Sequence, residues 1–137
     1  VQSAIDVNKV SEPFIRRKAM RHLEKGRVVV FAAGTGNPYF STDSAAVLRA
    51  LEIEAEVVVK ATQVDGIYDK DPKKHDDAVK YATIAYSEAI ERRLGVLDQT
   101  AFTMARENKI PLIVLDFHAP GSLLAALSGG SVGPLVG

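Results

Sequence analysis

Apolar positions in this chain come in two kinds of run that alternate. Arg27-Val28-Val29-Val30-Phe31-Ala32, Val57-Val58-Val59-Lys60 and Leu112-Ile113-Val114-Leu115 are continuous β-branched or aliphatic stretches, which predicts strands buried on both faces and hence a parallel sheet. Between them the period lengthens. Glu12 to Glu24 sets Phe14, Ala19 and Leu23 among basic residues at helical spacing and stops at Gly26, a suitable C-cap. Asp43 to Leu51 predicts a helix capped by Thr42 or Asp43, Ser87 to Arg93 a helix capped by Ser87, and Asp98 to Asn108 one capped by Asp98. Tyr81 to Ile84 reads as a short strand, Gly121 to Ser128 as a last helix ended by Gly129 and Gly130, and Val132 to Val136 as an edge strand. The polar, turn-rich stretch from Thr62 to Ala78 reads as a long functional or mobile loop. Strands alternating with helices give an α/β class with a mainly parallel sheet.

Composition narrows this picture. At 137 residues and 47% hydrophobic, the chain suits one compact domain, so residues 1–137 are expected to form a single partial domain. Seventeen basic residues balance seventeen acidic ones, so no net field draws the protein to nucleic acid or an anionic membrane, and phosphate recognition has to be local. The absence of cysteine excludes disulfides and thiolate chemistry and is compatible with a reducing, cytoplasmic location. Val28 to Ala33 and Leu123 to Leu127 are far shorter than the roughly 20 residues of a membrane helix, so no membrane partner is expected. There is no secretory pattern at the start and no initiator Met, which suggests a missing beginning.

Three segments are placed for chemistry, because ligands of an open α/β sheet gather beyond the carboxyl ends of the strands. In the first, Ala33 to Asp43, Gly34 and Gly36 allow close backbone approach to a phosphate, and Thr35, Asn37, Ser41 and Thr42 offer neutral donors; a plain strand-to-helix turn using positive φ explains the same residues. The second begins at Lys60, placed by its pattern at the end of a buried strand, where it touches a phosphate or snorkels to solvent. It continues to Tyr68, whose face suits a base or its own domain. The third is Asp98, an N-cap whatever else it does. His22, His75 and His118 are scattered without metal spacing, and Lys70, Lys73 and Lys74 read as a solvated loop balanced by Asp69, Asp71, Asp76 and Asp77.

Taken together, Gly34-Thr35-Gly36-Asn37-Pro38-Tyr39-Phe40-Ser41-Thr42-Asp43, Lys60-Ala61-Thr62-Gln63-Val64-Asp65-Gly66-Ile67-Tyr68 and Asp71-Pro72 resemble, in order and spacing, the bacterial uridylate kinases of the amino-acid kinase superfamily. The likeness continues through Val96-Leu97-Asp98, Thr100-Ala101-Phe102 and Ile110 to Val114. It implies a three-layer sandwich around a mainly parallel sheet, here incomplete, and transfer of the γ-phosphoryl group of Mg·ATP to UMP. On that resemblance Thr35, Gly36, Asn37, Pro38, Tyr39, Phe40, Ser41 and Thr42 line the UMP site, and Thr62, Tyr68 and Asp71 contact ATP. Asp43, Asp98 and Lys60 take the catalytic or organising positions, Mg²⁺ arrives with ATP, and no protein metal site is implied. The family implies a homo-oligomer, a hexamer, with GTP and UTP as effectors. Its members begin with a strand and a Gly-rich phosphate loop that do not precede Val1 here, so this chain alone is expected not to catalyse. Leu123 to Leu135 departs from the family's more basic last helix. A carboxylate or carbamate kinase of the same superfamily, and a non-catalytic nucleotide-binding subunit, are the alternatives.

Overall fold

The computed structural model describes residues 1–130 and 133–137. The chain forms two compact units, Val1–Ala55 and Glu56–Gly137.

In the first unit, β1 (Gln2–Ser3) lies between β2 (Glu12–Pro13) and β3 (Phe31–Ala32), parallel to both. Helix α1 (Arg16–Glu24) links β2 to β3, and α2 (Thr42–Glu52) follows the loop after β3. The helix expected from Glu12 begins at Arg16, because Glu12 and Pro13 are drawn into the sheet opposite Gln2 and Ser3. The strand expected from Arg27 is also shorter. Val28 and Val30 are exposed, and no described element covers them, so a β-branched run is here not a doubly buried strand. Ala19, Ala45 and Val47 form the apolar centre. Phe14 meets Phe31 edge to face at 5.5 Å, and the nearly buried Arg49 lays its guanidinium 3.8 Å from the Phe14 ring centroid while pairing with Glu52. The aromatic face and the carboxylate together offset the cost of burying that cation.

In the second unit the sheet order is β4 (Val58–Thr62), β6 (Leu112–Asp116), β7 (Leu135–Val136), β5 (Thr83–Ile84). β4 and β6 are parallel over five pairs, from Val58 opposite Leu112 to Thr62 opposite Asp116. β7 runs antiparallel to β6 and parallel to β5, so both sheets are dominated by parallel pairing. The tail strand is therefore an inner strand and not an edge; Gly133 makes this possible, since a Cβ there would fall on the Val114 carbonyl oxygen. Val132, the expected start of that strand, lies outside the described residues. Helices α3 (Tyr86–Glu91) and α4 (Gln99–Glu107) pack on each other, and α5 (Ser122–Leu127) packs beside β6. Ile67, Leu112, Val114, Leu115 and Val136 are essentially sealed from water, each such side chain stabilising the fold by about 1.5–3 kcal/mol. The Tyr86 hydroxyl donates to the Ile110 carbonyl at 2.6 Å, and burial pushes its pKa up to about 12.

Among the described residues, the five helices all end in the same way. Gly26, Glu54, Arg93, Lys109 and Gly129 have positive φ, and the next residue's N–H returns to a carbonyl five residues back: Arg27 to His22, Ala55 to Ala50, Leu94 to Ala89, Ile110 to Ala105 and Gly130 to Ala125. This is the Schellman closure of orphan carbonyls. At three ends it is made without glycine.

Candidate functional site

In the second unit a cleft of about 500 Å³ opens at the carboxyl-terminal half of β4, within the size range of small-molecule sites. β4 supplies Lys60 and Thr62, β6 supplies Val114, and the loop after β4 supplies Val64 and the stretch from Gly66 to Pro72. The segment from Arg92 to Val96, between α3 and α4, completes the lining. Its charge comes from Lys60, Lys70, Arg92 and Arg93 against Asp69 and Asp71. An excess of cations in a cleft beside a Thr hydroxyl and a Tyr ring suits an anionic ligand carrying a flat polar group.

The loop that shapes this cleft is pinned by its own polar groups. Asp65 accepts from the Lys80 ammonium and from the Tyr68 hydroxyl, each at 2.7 Å. Lys80 first, and then Tyr68, hold the Asp65 carboxyl below the usual carboxylate range, and the same bond raises the Tyr68 phenol. Tyr68 bridges Lys80 in a short antiparallel contact, and the Asp69 and Tyr81 amides donate to the Val79 and Ile67 carbonyls. Gly66 is buried where a Cβ would strike the Lys80 side chain and press on Pro134. Asp71 accepts from the Lys73 amide at 3.0 Å, which lowers its pKa, and lies 3.4 Å from the Lys74 ammonium. Lys70 is bound to Asp77 at 2.6 Å. The basic loop is solvated, as its sequence predicts, and Lys70 and Lys74 are matched by Asp77 and Asp71.

In the first unit the loop from Ala33 to Ser41 has a different character. Ala33, Gly34, Gly36 and Tyr39 all have positive φ. The Thr35 hydroxyl accepts from the Asn37 amide at 3.2 Å, and the Asn37 side-chain amide donates to the Thr35 carbonyl at 3.2 Å. A Cβ on Gly36 would sit 2.5 Å from the Ala4 carbonyl oxygen, so Gly36 is required by the loop's approach to its own chain just after β1. Pro38, Tyr39 and Phe40 point into solvent, Tyr39 fully. Ser41, and not Thr42 or Asp43, caps α2, its Oγ accepting from the Ser44 amide at 3.0 Å. Thr42 and Asp43 stand in the first turn of that helix.

Of the residues singled out from sequence, Lys60, Thr62, Tyr68 and Asp71 are brought together around the cleft. Lys60 lies in the middle of β4 and not at its end, since pairing with β6 runs on through Thr62. Asp98 is not part of the lining; it caps α4, accepting from the Ala101 amide at 2.9 Å. Ser87 is not a cap, because α3 starts at Tyr86 with Ala85 as its cap residue. Arg92 and Arg93 carry no motif that marks them in the sequence, and the dibasic pair before Leu94-Gly95 is the one signal for them. No group of three or more Asp, Glu, His or Cys is placed to hold a metal ion among the described residues. No helix there is long and apolar enough to cross a membrane.

A model of the amino acid kinase family matches residues 3–116. This chain belongs to that family. Within the amino acid kinase family its relatives include the uridylate kinase of Xanthomonas campestris pv. campestris, 57% identical over 136 residues that make up 99% of this chain and 57% of that protein. The solved UMP kinase of Bacillus anthracis superimposes with a TM-score of 0.95 at 35% identity, over 98% of this chain and 56% of that one. The UMP kinase of Ureaplasma parvum gives 0.93 at 35% identity, over 98% and 58%. The uridylate kinase of Archaeoglobus fulgidus gives 0.72 at 33% identity, over 91% and 59%. The chain thus spans a little over half the length of these relatives and is a homologue of uridylate kinases.

Proposed function

We propose that this chain is the nucleotide-holding portion of a UMP kinase that transfers the γ-phosphoryl group of Mg·ATP to UMP, giving UDP for pyrimidine nucleotide synthesis. The observation that carries the reading is the convergence of Lys60, Thr62, Tyr68 and Asp71 on one cationic cleft; the uridylate kinases among its relatives support it. Phosphoryl transfer asks for positioning and neutralisation of spread negative charge more than for a covalent nucleophile. In this reading Thr62 donates its hydroxyl to ATP, Tyr68 offers a ring held in place by Asp65, and Lys60 lies toward the phosphates. Thr35 to Thr42 hold UMP, while Asp43 and Asp98 organise the transfer. The Mg²⁺ arrives with ATP, whose phosphate oxygens supply ligands to it.

A homo-oligomer, hexameric as the resemblance implies, responsive to GTP and UTP and working in the cytoplasm, belongs to the same proposal. The test is transfer from Mg·ATP to UMP, CMP, AMP and a carboxylate acceptor, assayed on the whole polypeptide that carries these residues. UDP formation confined to UMP is expected. Transfer to the carboxylate and not to UMP would overturn the reading in favour of a carboxylate kinase.

A further inference from the structure

Among the described residues, the cleft of the second unit has one cation, Arg93, that its surroundings leave unmatched. Lys70 is bound to Asp77, and the Arg92 guanidinium is bound to Glu88 at 2.9 Å, one helical turn back in α3. Arg93 lines the same cleft and is exposed. Among the described residues its guanidinium has no ion pair or hydrogen bond. Its root is nonetheless fixed. The Arg93 backbone has φ 52° and closes α3 through its N–H on the Ile90 carbonyl at 3.0 Å, and the next residue, Leu94, is buried with its N–H on Ala89. A long cationic side chain on a rigid base loses less freedom on meeting a ligand than one on a mobile loop. Its planar fork of donors fits phosphate oxygens two at a time.

Resting on the reading of this cleft as the nucleoside triphosphate site, we propose that Arg93 is a further binding residue, holding the anionic polyphosphate and not the nucleoside. Glycine is the substitution that tests this, because φ 52° suits it and the helix end is kept. Affinities of ATP, ADP, AMP and adenosine are compared in the whole polypeptide for the parent, Arg93→Gly, Arg93→Lys and Gln99→Ala. Gln99 borders the neighbouring groove between α3 and α4, which Arg93 also touches, but does not line the cleft. Arg93→Gly is expected to weaken ATP about fivefold, as for one solvent-accessible charge-assisted contact, AMP less, and adenosine not at all. Arg93→Lys restores part of the loss, and Gln99→Ala changes nothing. Unchanged ATP affinity in Arg93→Gly, an equal loss for adenosine, or an equal loss in Gln99→Ala would each overturn the role of Arg93 while the parent still binds ATP. Absence of ATP binding by the parent would instead overturn the reading of the cleft itself.

Discussion

The loop after β3 and the loop after β4 each follow a short parallel strand, yet they spend their polar groups differently. The first turns them inward: Thr35 and Asn37 bond each other, Ser41 caps α2, and Gly36 is used up by the approach to Ala4. The second locks its frame with Asp65, Lys80, Tyr68 and Asp77 and leaves a cationic cleft beside that frame. A motif dense in glycine and hydroxyls can thus spend part of its polar capacity on its own fold, whereas a pinned loop leaves a charged cleft where it meets residues from elsewhere in the chain.

The comparison can be broken at its glycines. Gly36→Ala forces a Cβ onto backbone at positive φ and is expected to cost roughly 2–3 kcal/mol, read as a lowered urea midpoint. Gly66→Ala meets mainly the flexible end of Lys80 and should cost about half as much. Equal midpoints for the two variants would show that the Ala33 to Ser41 loop can shift and is not held by Ala4. Next comes Asp98. Asp98→Ala removes the α4 cap and should cost about 1 kcal/mol, whereas Asp98→Asn keeps an acceptor and should stay within a few tenths. Under the proposed function, Asp98→Asn lowers the turnover number more than it weakens UMP, and an unaltered turnover number would remove Asp98 from the transfer step.

Smaller effects sharpen the contrast. Lys109→Gly relieves a non-glycine residue at φ 55° and should stabilise the second unit by about 0.5 kcal/mol. Glu54→Gly relieves φ 58° in the first unit but gives up the ion pair with Arg16, so its gain should be less. Thermal melts of both variants check the order, and a larger gain at Glu54 would contradict it. The smallest effect is at Asp65. Its folded pKa lies below its unfolded one, so its contribution is complete above the unfolded value and is lost as pH falls through the folded value. Asp65→Asn should therefore lower the neutral plateau slightly and flatten the acid limb below the ordinary carboxylate range, so that variant and parent converge at low pH. An acid limb as steep as the parent's would mean that other carboxylates carry it.

Much of this architecture was readable from residue pattern. Leu112 to Leu115 and Val58 to Lys60 form strands as their β-branched and aliphatic runs suggest, although β4 is an edge strand and only partly buried, and Asp98 caps α4 as its position before Gln99 suggests. The failures share a cause, in that burial and pairing are decided by partners distant in sequence. Val28 to Val30 has the composition of a core strand but lacks a covering element in its unit. Glu12 and Pro13 join a sheet because Gln2 and Ser3 are there to pair with. Leu135 and Val136 become an inner strand because Gly133 lets the backbone pass Val114. In the cleft, Lys60, Thr62, Tyr68 and Asp71 stood out within one contiguous stretch and through a family likeness. Arg92 and Arg93 reach it only through the way α3 ends, which local sequence does not announce.

The measurement that bears most directly on the account is amide chemical-shift mapping of the whole polypeptide titrated separately with ATP and with UMP. The account predicts that ATP moves Thr62, Tyr68 and Asp71 most, and that UMP moves the residues from Thr35 to Thr42 most. Saturating ATP that leaves Thr62, Tyr68 and Asp71 unmoved would contradict it.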